Sequence, residues 1–590
     1  MSARAAVAGT RTRSGVRKRH PSRTPPGRLV ALMLVLSLGF SGILVRLVQL
    51  QVRDAPSYRA LARDQRVRTI ALPAARGSLF DRNGEELALS LPAKAVYADP
   101  SLVGNPADEA REVADALGVD FADVFASLHR SGRFVYLARG VDPQAAARLE
   151  AKNLPGIGFL SESRRYYPAK DLAPQVLGLV GVDGTGLAGV ELQYQKSLAG
   201  RSGHQVVEAD PRGLLIPQGD NVAVPPVPGD DLVLTIDREI QYLAQRALVE
   251  AVRGNHAKGG TVIVMDPASG EILAMADHPG FDPNDVTAGD LSAVRNRAVT
   301  DAYEPGSVNK VITAAAAIQE GVLTLKQRLR VPGSYRLYTK VFHDAHTHPV
   351  EAMTLADIIA YSSNVGTIKV AAMLGKERFY SYLQRFGLTR RTGLGFPGES
   401  SGLLPPPDQW SGTSMGTIPL GQGIAVTPLQ MATVYATIAN RGEWVQPRLV
   451  RGVVGSDGRV RPVDSPRTRQ VISPQTADVL SRMLAYAVRV GTGKEAQIPG
   501  FWVAGKTGTA RKVNKTGTGY SHKYVASFIG FAPAASPAIV VAAVLDEPST
   551  VYGGIAAAPL FREVARFALA RLRVTPAPRL PVPPHAVRAG

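Results

Sequence analysis

The amino-acid sequence predicts an α/β (α+β) protein in which an antiparallel sheet lies between helical layers, preceded by a mixed α/β pedestal domain and a single N-terminal transmembrane helix. Segments 261–265 and 272–276 are almost continuously apolar and flank the turn 266–270, a pattern typical of a hairpin in a sheet covered on both faces. Further apolar strands are predicted at 525–529 and 538–544, so the sheet is built from distant segments. At 590 residues the chain is too long for one core, which indicates several domains.

The first 53 residues carry ten Lys or Arg side chains and no acidic one, which accounts for much of the net charge of +19. No basic stripe with interleaved aromatic residues, of the kind that follows a phosphate backbone, occurs in the chain. The absence of cysteine excludes disulfide bonds and thiolate metal sites. We therefore expect no nucleic-acid partner and interpret the basic segment as a membrane-targeting signal.

Residues 29–45 form an uncharged, mostly aliphatic run near the lower length limit for a membrane-spanning helix, which Arg46 can extend by reaching to the interface. A cleaved signal peptide is the alternative, but the nearby A-x-A pattern at 60–62 lies well beyond the run. The preceding basic residues favour a cytoplasmic N-terminus. We predict a cytoplasmic tail at 1–28, an uncleaved plasma-membrane anchor at 29–48, and an extracytoplasmic remainder.

A pedestal domain is predicted at 49–228. Its C-terminal boundary is marked by a run rich in Pro and Gly at 216–231. Asn83 and Gly84 lie between apolar segments and predict a hairpin turn. Helices are predicted at 106–117 and 143–149. Because this domain contains no cluster of metal-ligating residues and no phosphate loop, we expect a structural or docking module.

The main domain is predicted at 229–573, followed by a flexible, proline-rich tail at 574–590. It begins with a strand at 232–236 and a helix capped by Asp237. Its other expected elements are a mostly helical stretch from 307 to about 440, an amphipathic helix from Ser473 to 488, a strand at 502–504 and a closing helix at 559–572.

Ser307 is the candidate nucleophile. Pro305 and Gly306 mark a turn directly before an alanine-rich helix, so Ser307 lies at a helix N-terminus, where free N–H groups favour developing negative charge. Lys310 follows one turn later, and a partly desolvated lysine can serve as the base that a serine needs. This S-x-x-K occurs once in the chain, although a capping serine with a surface lysine would look the same.

A second motif, S-x-N, is formed by Ser362 and Asn364 at a predicted turn in the helical stretch. Its hydroxyl and amide could relay a proton and orient a substrate amide. The pattern is weak alone, since Ser307 and Asn309 match it too.

A third motif, Lys506-Thr507-Gly508-Thr509, follows the predicted strand at 502–504. Gly508 would let a substrate backbone approach the strand edge, while the lysine and threonines offer contacts for a carboxylate. The same letters recur from Lys515, but no apolar strand precedes that copy, so we assign the chemistry to Lys506 and interpret 515–518 as a loop.

Together, the three motifs resemble those of class B penicillin-binding proteins, most closely the cell-division (FtsI-type) branch, within the serine acyl-transferases that include β-lactamases. The resemblance extends over nearly the whole chain after the tail. It implies a penicillin-binding/β-lactamase-type transpeptidase domain on a dimerisation-type pedestal. The other matching segments are Arg76-Gly77 with 81–84, 166–168, 189–191, 198–200, 234–237, 421–423 with Thr427-Pro428, and 552–554.

The resemblance implies that Ser307 attacks the D-Ala-D-Ala carbonyl of a peptidoglycan stem peptide, expels the last alanine and passes the acyl group to a neighbouring stem amine. β-Lactams would acylate the same serine, and no cofactor is expected. The implied roles of the other residues are acylation base for Lys310, proton relay for Ser362, substrate-amide contact for Asn364, carboxylate contacts for Lys506, Thr507 and Thr509, and an oxyanion hole from the N–H groups of Ser307 and Thr509.

Alternative functions are an elongation-type class B transpeptidase, a D,D-carboxypeptidase or β-lactamase, and a non-catalytic division scaffold. The Glu-x-x-Leu-Asn loop of class A β-lactamases is absent. The run 303–307 and the ending 552–559 resemble the division branch, which favours a septal role. Because the pedestal resembles no glycosyltransferase, the expected partners are a SEDS-type glycan polymerase and other divisome membrane proteins.

The segment 343–348 contains His343, Asp344, His346 and His348, whose spacing could hold a metal ion. It also resembles a loop that precedes the S-x-N motif in relatives. We therefore predict no metal site.

Overall fold

The structure is a computed structural model that describes residues 26–58, 67–208, 222–286, 291–455, 457–514 and 519–576. The described residues fall into two compact units. One comprises those within Met1–Ala71 and His204–Val224, and the other those within Leu72–Gly203 and Pro225–Gly590.

The first unit contains the predicted anchor. An α-helix spans Pro26–Val48 and continues into a π-helical turn at Gln49–Arg53. Its apolar side chains are exposed, with a mean hydropathy of 2.2 over the best window, and its length and composition suffice to cross a membrane. The strands Val67–Leu72, Gly203–Glu208 and Val222–Val224 pair in that order.

The second unit begins with the pedestal. The hairpin predicted at Asn83 and Gly84 is confirmed: Leu79–Phe80 pairs antiparallel with Glu86–Ala98, and Gly84 has a φ of +91°. The remaining pedestal elements are the helices Pro106–Leu117, Phe121–Leu128, Pro143–Glu150, Pro174–Leu177, Gly189–Gln193 and Gln195–Leu198, and the strands Val135–Val141 and Ile157–Tyr166.

Three pedestal motifs meet at one buried carboxylate. Glu191 binds Arg76 Nε at 2.6 Å and Arg165 Nε at 2.7 Å. The Tyr167 hydroxyl donates to the same carboxylate at 3.4 Å. Each of the two arginines also donates to backbone carbonyl oxygens, Arg76 to that of Gly184 and Arg165 to that of Gly77. We call Arg76, Arg165 and Glu191 the pedestal ion cluster.

One sheet runs across the boundary predicted near residue 228. The two-residue pedestal strand Leu79–Phe80 pairs in parallel with Asp231–Leu234, the strand expected at 232–236. Through this contact the pedestal strands join the strands Val450–Val454 and Val460–Pro462 in the same sheet. The pedestal and the main domain therefore share backbone hydrogen bonds as well as side-chain contacts.

The main sheet is antiparallel throughout and, in the described part of the chain, has five strands. In sheet order they are Ile272–His278, Gly259–Met265, Ile539–Asp546, Tyr520–Ala532 and Ala504–Val513.

Successive side chains of the main sheet enter two different cores. Val262 and Val264 pack with the helices Arg238–Gly254 and Ala558–Arg571, whereas Ile263 lies in the larger core with the helix Lys310–Gln319. This alternation follows from the period of two along a strand and confirms the sheet between helical layers.

The stretch from 307 to 440 is less helical than predicted, which corrects that expectation. Two short antiparallel hairpins interrupt it, formed by Leu329–Val331 with Glu351–Met353 and by Ser334–Leu337 with Lys340–His343. The helices of the region are Lys310–Gln319, Leu355–Ala360, Asn364–Leu374, Lys376–Arg385, Ser414–Thr417, Pro428–Ala439 and the 3₁₀ turns Gly306–Asn309, Pro407–Gln409 and Ile418–Leu420.

The predicted helices at the C-terminal end of the main domain are confirmed: Ser473 caps the helix Pro474–Val490, and a helix spans Ala558–Arg571. The short helix Arg297–Thr300 and the 3₁₀ turn Lys494–Ala496 were not predicted. The strand expected at 502–504 instead begins at Ala504, so the K-T-G-T sequence lies inside the strand and not after it. The strands Glu443–Val445 and Thr468–Gln470 pair separately.

Candidate active site

The turn Gly306–Asn309, here called the nucleophile turn, is a 3₁₀ turn that runs directly into the helix Lys310–Gln319. Gly306 adopts a φ of +61°, which is why this position favours glycine. Ser307 remains partly accessible, whereas Lys310 is fully buried. The predicted arrangement of a serine followed one turn later by a desolvated lysine is present.

The Lys310 amine contacts the S-x-N motif. Its Nζ lies 2.6 Å from the Ser362 carbonyl oxygen, 3.2 Å from Ser362 Oγ and 2.7 Å from Asn364 Oδ1. The structure thus brings together two motifs that lie 52 residues apart in the chain. In the described residues, the Ser307 hydroxyl makes no hydrogen bond; catalytic bonds of a free enzyme often tighten only with substrate.

Burial lowers the pKa of the Lys310 amine to about 7, and the charge of Asp344 opposes this shift by raising it. A neutral amine has two N–H donors and one lone pair. The Ser362 carbonyl and Asn364 Oδ1 can only accept, so they receive the two N–H groups of the neutral amine, whose lone pair is left for the Ser362 hydroxyl; the protonated amine donates to Ser362 Oγ as well. This arrangement allows a proton to pass between Ser362 and Lys310.

Ser362 lies at a turn between two helices with a φ of +60°, an uncommon value for a residue with a side chain. The turn is held by Asp344, whose carboxylate accepts the Ser363 hydroxyl at 2.7 Å and the Val365 N–H at 3.0 Å. It also accepts the N–H of Asn364. Asp344 therefore occupies the N-terminus of the helix Asn364–Leu374, where an anion is favoured.

The third motif lies on the strand Ala504–Val513, here called the edge strand because it ends the described order of the main sheet. Lys506 Nζ lies 3.2 Å from the Thr507 carbonyl oxygen and 3.3 Å from Thr507 Oγ1. Burial, and then the nearby Lys310 amine, hold the pKa of Lys506 well below its usual range. Thr507 and Gly508 are also buried, and Thr509 is partly exposed.

Glycines allow the edge strand and a second loop to approach the nucleophile turn. A Cβ at Gly508 would lie 2.3 Å from Ser527 Oγ and 3.1 Å from the Pro305 carbonyl oxygen. A Cβ at Gly421 would lie 2.3 Å from the Gly306 carbonyl oxygen, and Gly306 N–H donates to Gly421 O at 3.1 Å. Any side chain at these two glycines would displace the backbone around Ser307.

Comparison with known protein families decides the identity of the chain. The penicillin-binding protein transpeptidase domain matches residues 260–566, and the penicillin-binding protein dimerisation domain matches residues 71–234. The chain belongs to the class B penicillin-binding proteins.

Two relatives illustrate the similarity of this penicillin-binding protein to others. Penicillin-binding protein PbpB of Mycolicibacterium smegmatis is 37% identical over 586 residues, which cover 92% of this chain and 90% of the relative. Peptidoglycan D,D-transpeptidase FtsI of Escherichia coli is 35% identical over 555 residues, which cover 92% and 91%.

Solved structures agree with this assignment. Penicillin-binding protein 3 of Mycobacterium tuberculosis in complex with ampicillin has a TM-score of 0.70 and 33% identity to this chain, covering 88% of it and 100% of that chain. The same protein in complex with aztreonam has a TM-score of 0.69. The predicted penicillin-binding transpeptidase fold and family are confirmed.

Asn309, which with Ser307 forms a second match to the S-x-N pattern, has a structural role in this penicillin-binding protein. It is fully buried, and its Nδ2 donates to the Ile418 carbonyl oxygen at 3.0 Å. The second copy of the K-T-G-T sequence, which begins at Lys515, lies outside the described residues.

Sequence reasoning missed Asp344 as a site residue because its histidine neighbours drew attention to metal binding. Two of these are exposed, His343 and His346, and His348 Nε2 lies 2.9 Å from an Asp344 oxygen. Across the described residues there is no group of three or more His, Cys, Asp or Glu side chains that could hold a metal ion. No local sequence pattern marks Asp344, because the helix N-terminus that it contacts begins 20 residues later in the chain.

Tyr435 was also missed. Its buried hydroxyl donates to the Val308 carbonyl oxygen at 3.0 Å and so anchors the nucleophile turn from the helix Pro428–Ala439. Nothing in the sequence around Tyr435 pairs it with a residue 127 positions earlier.

Proposed function

We propose that this chain is a peptidoglycan D,D-transpeptidase of septal cell-wall synthesis, with Ser307 as its nucleophile. The single observation that carries the proposal is the contact of the fully buried Lys310 amine with both polar residues of the S-x-N motif. A base with a pKa of about 7 is matched to neutral pH, where it can take a proton in one step and return it in the next.

In the proposed reaction, Ser307 Oγ attacks the carbonyl carbon of the penultimate D-alanine, and its proton passes to the neutral Lys310 amine. The tetrahedral oxyanion accepts hydrogen bonds from the N–H groups of Ser307 and Thr509; one such donor contributes about 3–4 kcal/mol in comparable enzymes. The C–N bond then breaks, Ser362 gives its proton to the leaving nitrogen and takes the proton held by Lys310 in exchange, and terminal D-alanine departs, which leaves Lys310 neutral for the second half-reaction.

A second half-reaction completes the cross-link. The amine of a neighbouring stem peptide attacks the acyl-enzyme carbonyl, and its proton passes to Lys310 through Ser362. Breaking the ester bond returns the proton to Ser307 Oγ. Asn364 would hold the substrate amide in both halves.

The edge strand would bind the donor peptide. Its outer edge can pair with an extended peptide backbone, as in other strand-addition complexes. Lys506, Thr507 and Thr509 would then contact the terminal carboxylate. β-Lactams carry a carbonyl and an anionic group in a similar arrangement, and relatives bind ampicillin and aztreonam, which supports acylation of Ser307 by such compounds.

The cellular setting proposed is the plasma membrane at the division septum. The apolar helix Pro26–Val48 would anchor the chain, with residues 1–28 in the cytoplasm and with the pedestal at 49–228 and the catalytic domain at 229–573 outside. Most of the tail predicted at 574–590 lies outside the described residues. The two matched domains are a transpeptidase and a dimerisation domain, so a SEDS-type glycan polymerase and other division membrane proteins would be the partners. The similarity to the E. coli division-type relative favours this setting over elongation.

The experiment that tests the activity uses the detergent-purified full chain with ampicillin. Intact-mass analysis should show one covalent adduct, and peptide mapping should place it on Ser307. Ser307→Ala should give no adduct while unfolding at the same temperature as the wild type. An adduct on another residue, or no adduct on the wild type, would overturn the assignment.

The septal setting needs a separate test. A fluorescent fusion of the full chain should concentrate at division sites, and Ser307→Ala should localise there without supporting growth. Growth supported fully by Ser307→Ala would favour the alternative of a non-catalytic scaffold.

A further inference from the structure

Thr492 lies between the S-x-N and K-T-G motifs, on the loop that follows the helix Pro474–Val490. Its N–H donates to the Ala360 carbonyl oxygen at 3.2 Å, directly before the S-x-N turn. On the other side, a Cβ at Gly554 would lie 2.4 Å from the Thr492 carbonyl oxygen. The backbone of Thr492 therefore makes a hydrogen bond to Ala360 and lies close to Gly554, although the residue as a whole is exposed.

The Thr492 hydroxyl contacts the K-T-G motif. Its Oγ1 lies 2.7 Å from Thr507 Oγ1, and either oxygen can be the donor. Among the described residues this is the one side-chain hydrogen bond of Thr492. Thr507 Oγ1 has a second neighbour, because Lys506 Nζ donates to it at 3.3 Å.

The direction of the Thr492–Thr507 hydrogen bond determines what Thr507 offers a ligand. A hydroxyl oxygen has two lone pairs and one proton. If Thr492 and Lys506 both donate, both lone pairs of Thr507 are occupied and its proton points in the remaining direction. If Thr507 donates to Thr492 instead, its proton is used within the protein, and an approaching anion meets a lone pair.

We propose that Thr492 is a positioning residue for carboxylate recognition: it donates to Thr507 Oγ1 and thereby turns the Thr507 proton toward the terminal carboxylate of the donor peptide. The inference rests on the proposed transpeptidase function and adds to it the residue that orients the carboxylate-binding hydroxyl. In the described part of the chain, Thr507 Oγ1 is the one acceptor available to the Thr492 hydroxyl. If Thr507 donated to Thr492 instead, the Thr492 hydroxyl could donate only to water.

The test compares two N-acyl-D-alanyl thioesters, one whose leaving group carries a carboxylate and one in which that carboxylate is a carboxamide. Thr492→Val removes the hydroxyl but keeps the shape and the N–H contact to Ala360. The ratio of kcat/KM for carboxylate over carboxamide should fall about three- to tenfold, the factor that one neutral hydrogen bond contributes. Thr492→Ser, which restores the hydroxyl, should keep the ratio within about twofold of the wild type.

A double-mutant cycle separates action through Thr507 from direct contact with the ligand. In a Thr507→Val background, Thr492→Val should change the ratio by less than about twofold, because its partner is already gone. An unchanged ratio in Thr492→Val alone, or an undiminished effect in the Thr507→Val background, would overturn the inference. Failure of the wild type to turn over either thioester would instead contradict the transpeptidase proposal.

Discussion

Two regions of this molecule bury Lys or Arg side chains, and the two regions differ in whether a carboxylate pairs with the buried group. In the pedestal ion cluster, Arg76 and Arg165 share the carboxylate of Glu191 at 2.6 and 2.7 Å. In the candidate active site, Lys310 and Lys506 contact only carbonyl, amide and hydroxyl oxygens.

The buried arginines stabilise the fold as permanent charges, whereas the buried lysine can take up and release a proton. A guanidinium beside a carboxylate remains charged and holds segments together, provided that the partner stays in place. An amine buried without a carboxylate partner loses its proton more easily, and burial lowers the Lys310 pKa to about 7. Variants at these two sites test the comparison, because they should affect the acylation rate and the free energy of unfolding in opposite ways.

The largest expected effect is on acylation in Lys310→Met. Removing the base should slow acylation of Ser307 by a β-lactam about 10³-fold or more. The free energy of unfolding should change by no more than about 1 kcal/mol, because removing a desolvated amine offsets the lost hydrogen bonds. Stopped-flow acylation and chemical denaturation measure both quantities, with the exposed Lys326→Met as an unaffected control. Acylation within tenfold of the wild-type rate would show that Lys310 is not the base.

Glu191→Gln should show the opposite behaviour. It leaves two buried guanidinium groups without a carboxylate and should destabilise the fold by about 3–5 kcal/mol. The acylation rate per folded molecule should stay close to that of the wild type. Glu112→Gln is the matched control: its ion pair with Lys152 has side chains 49% and 42% exposed, so less than about 1 kcal/mol is expected. Equal destabilisation by the two variants would remove the structural role assigned to Glu191.

Lys506→Ala tests which copy of the repeated motif binds the carboxylate. A hydrogen bond to a charged group contributes about 1.5–3 kcal/mol, so kcat/KM for a thioester donor should fall about 10- to 100-fold. Lys515→Ala should leave kcat/KM unchanged. The assignment is wrong if Lys515→Ala has the larger effect.

Asp344→Asn should slow acylation about tenfold, less than either lysine variant at its upper limit, since the Ser363 hydroxyl loses its acceptor while backbone N–H contacts can persist. It should also lower the pH at which acylation is half-maximal, because the Asp344 charge raises the Lys310 pKa. The exposed His346→Gln provides the control. A midpoint that rises in Asp344→Asn would contradict this electrostatic role.

Much of this account could be predicted from the sequence because local rules apply to it. The caps of Asp237 and Ser473, the turn at Gly84 and the apolar strands follow from side-chain chemistry over a few residues. The three candidate motifs were recognisable by order and context, and the structure brings S-x-x-K and S-x-N into contact.

The errors lie where tertiary contacts override local pattern. Lys506 to Thr509 contain no apolar residue, which hid a strand that is stabilised by its pairing with 526–529. The hairpins between 329 and 353 consist of strands of only three or four residues, which are too short to show a clear period of two in the sequence. The two-residue strand Leu79–Phe80 was too short to reveal the sheet shared with the main domain. Asp344 acts on a helix 20 residues later, which no local pattern records.

The pH dependence of Ser307 acylation tests the central claim most directly, namely that Lys310 is a neutral base because it is buried without a carboxylate partner. The second-order rate constant for a β-lactam that does not titrate in this range should be half-maximal near pH 7. Below that pH the amine is protonated and the rate should fall about tenfold per pH unit; above it the rate should level off. A rate that stays flat through neutral pH, or rises only near the usual lysine pKa of about 10.4, would contradict the account.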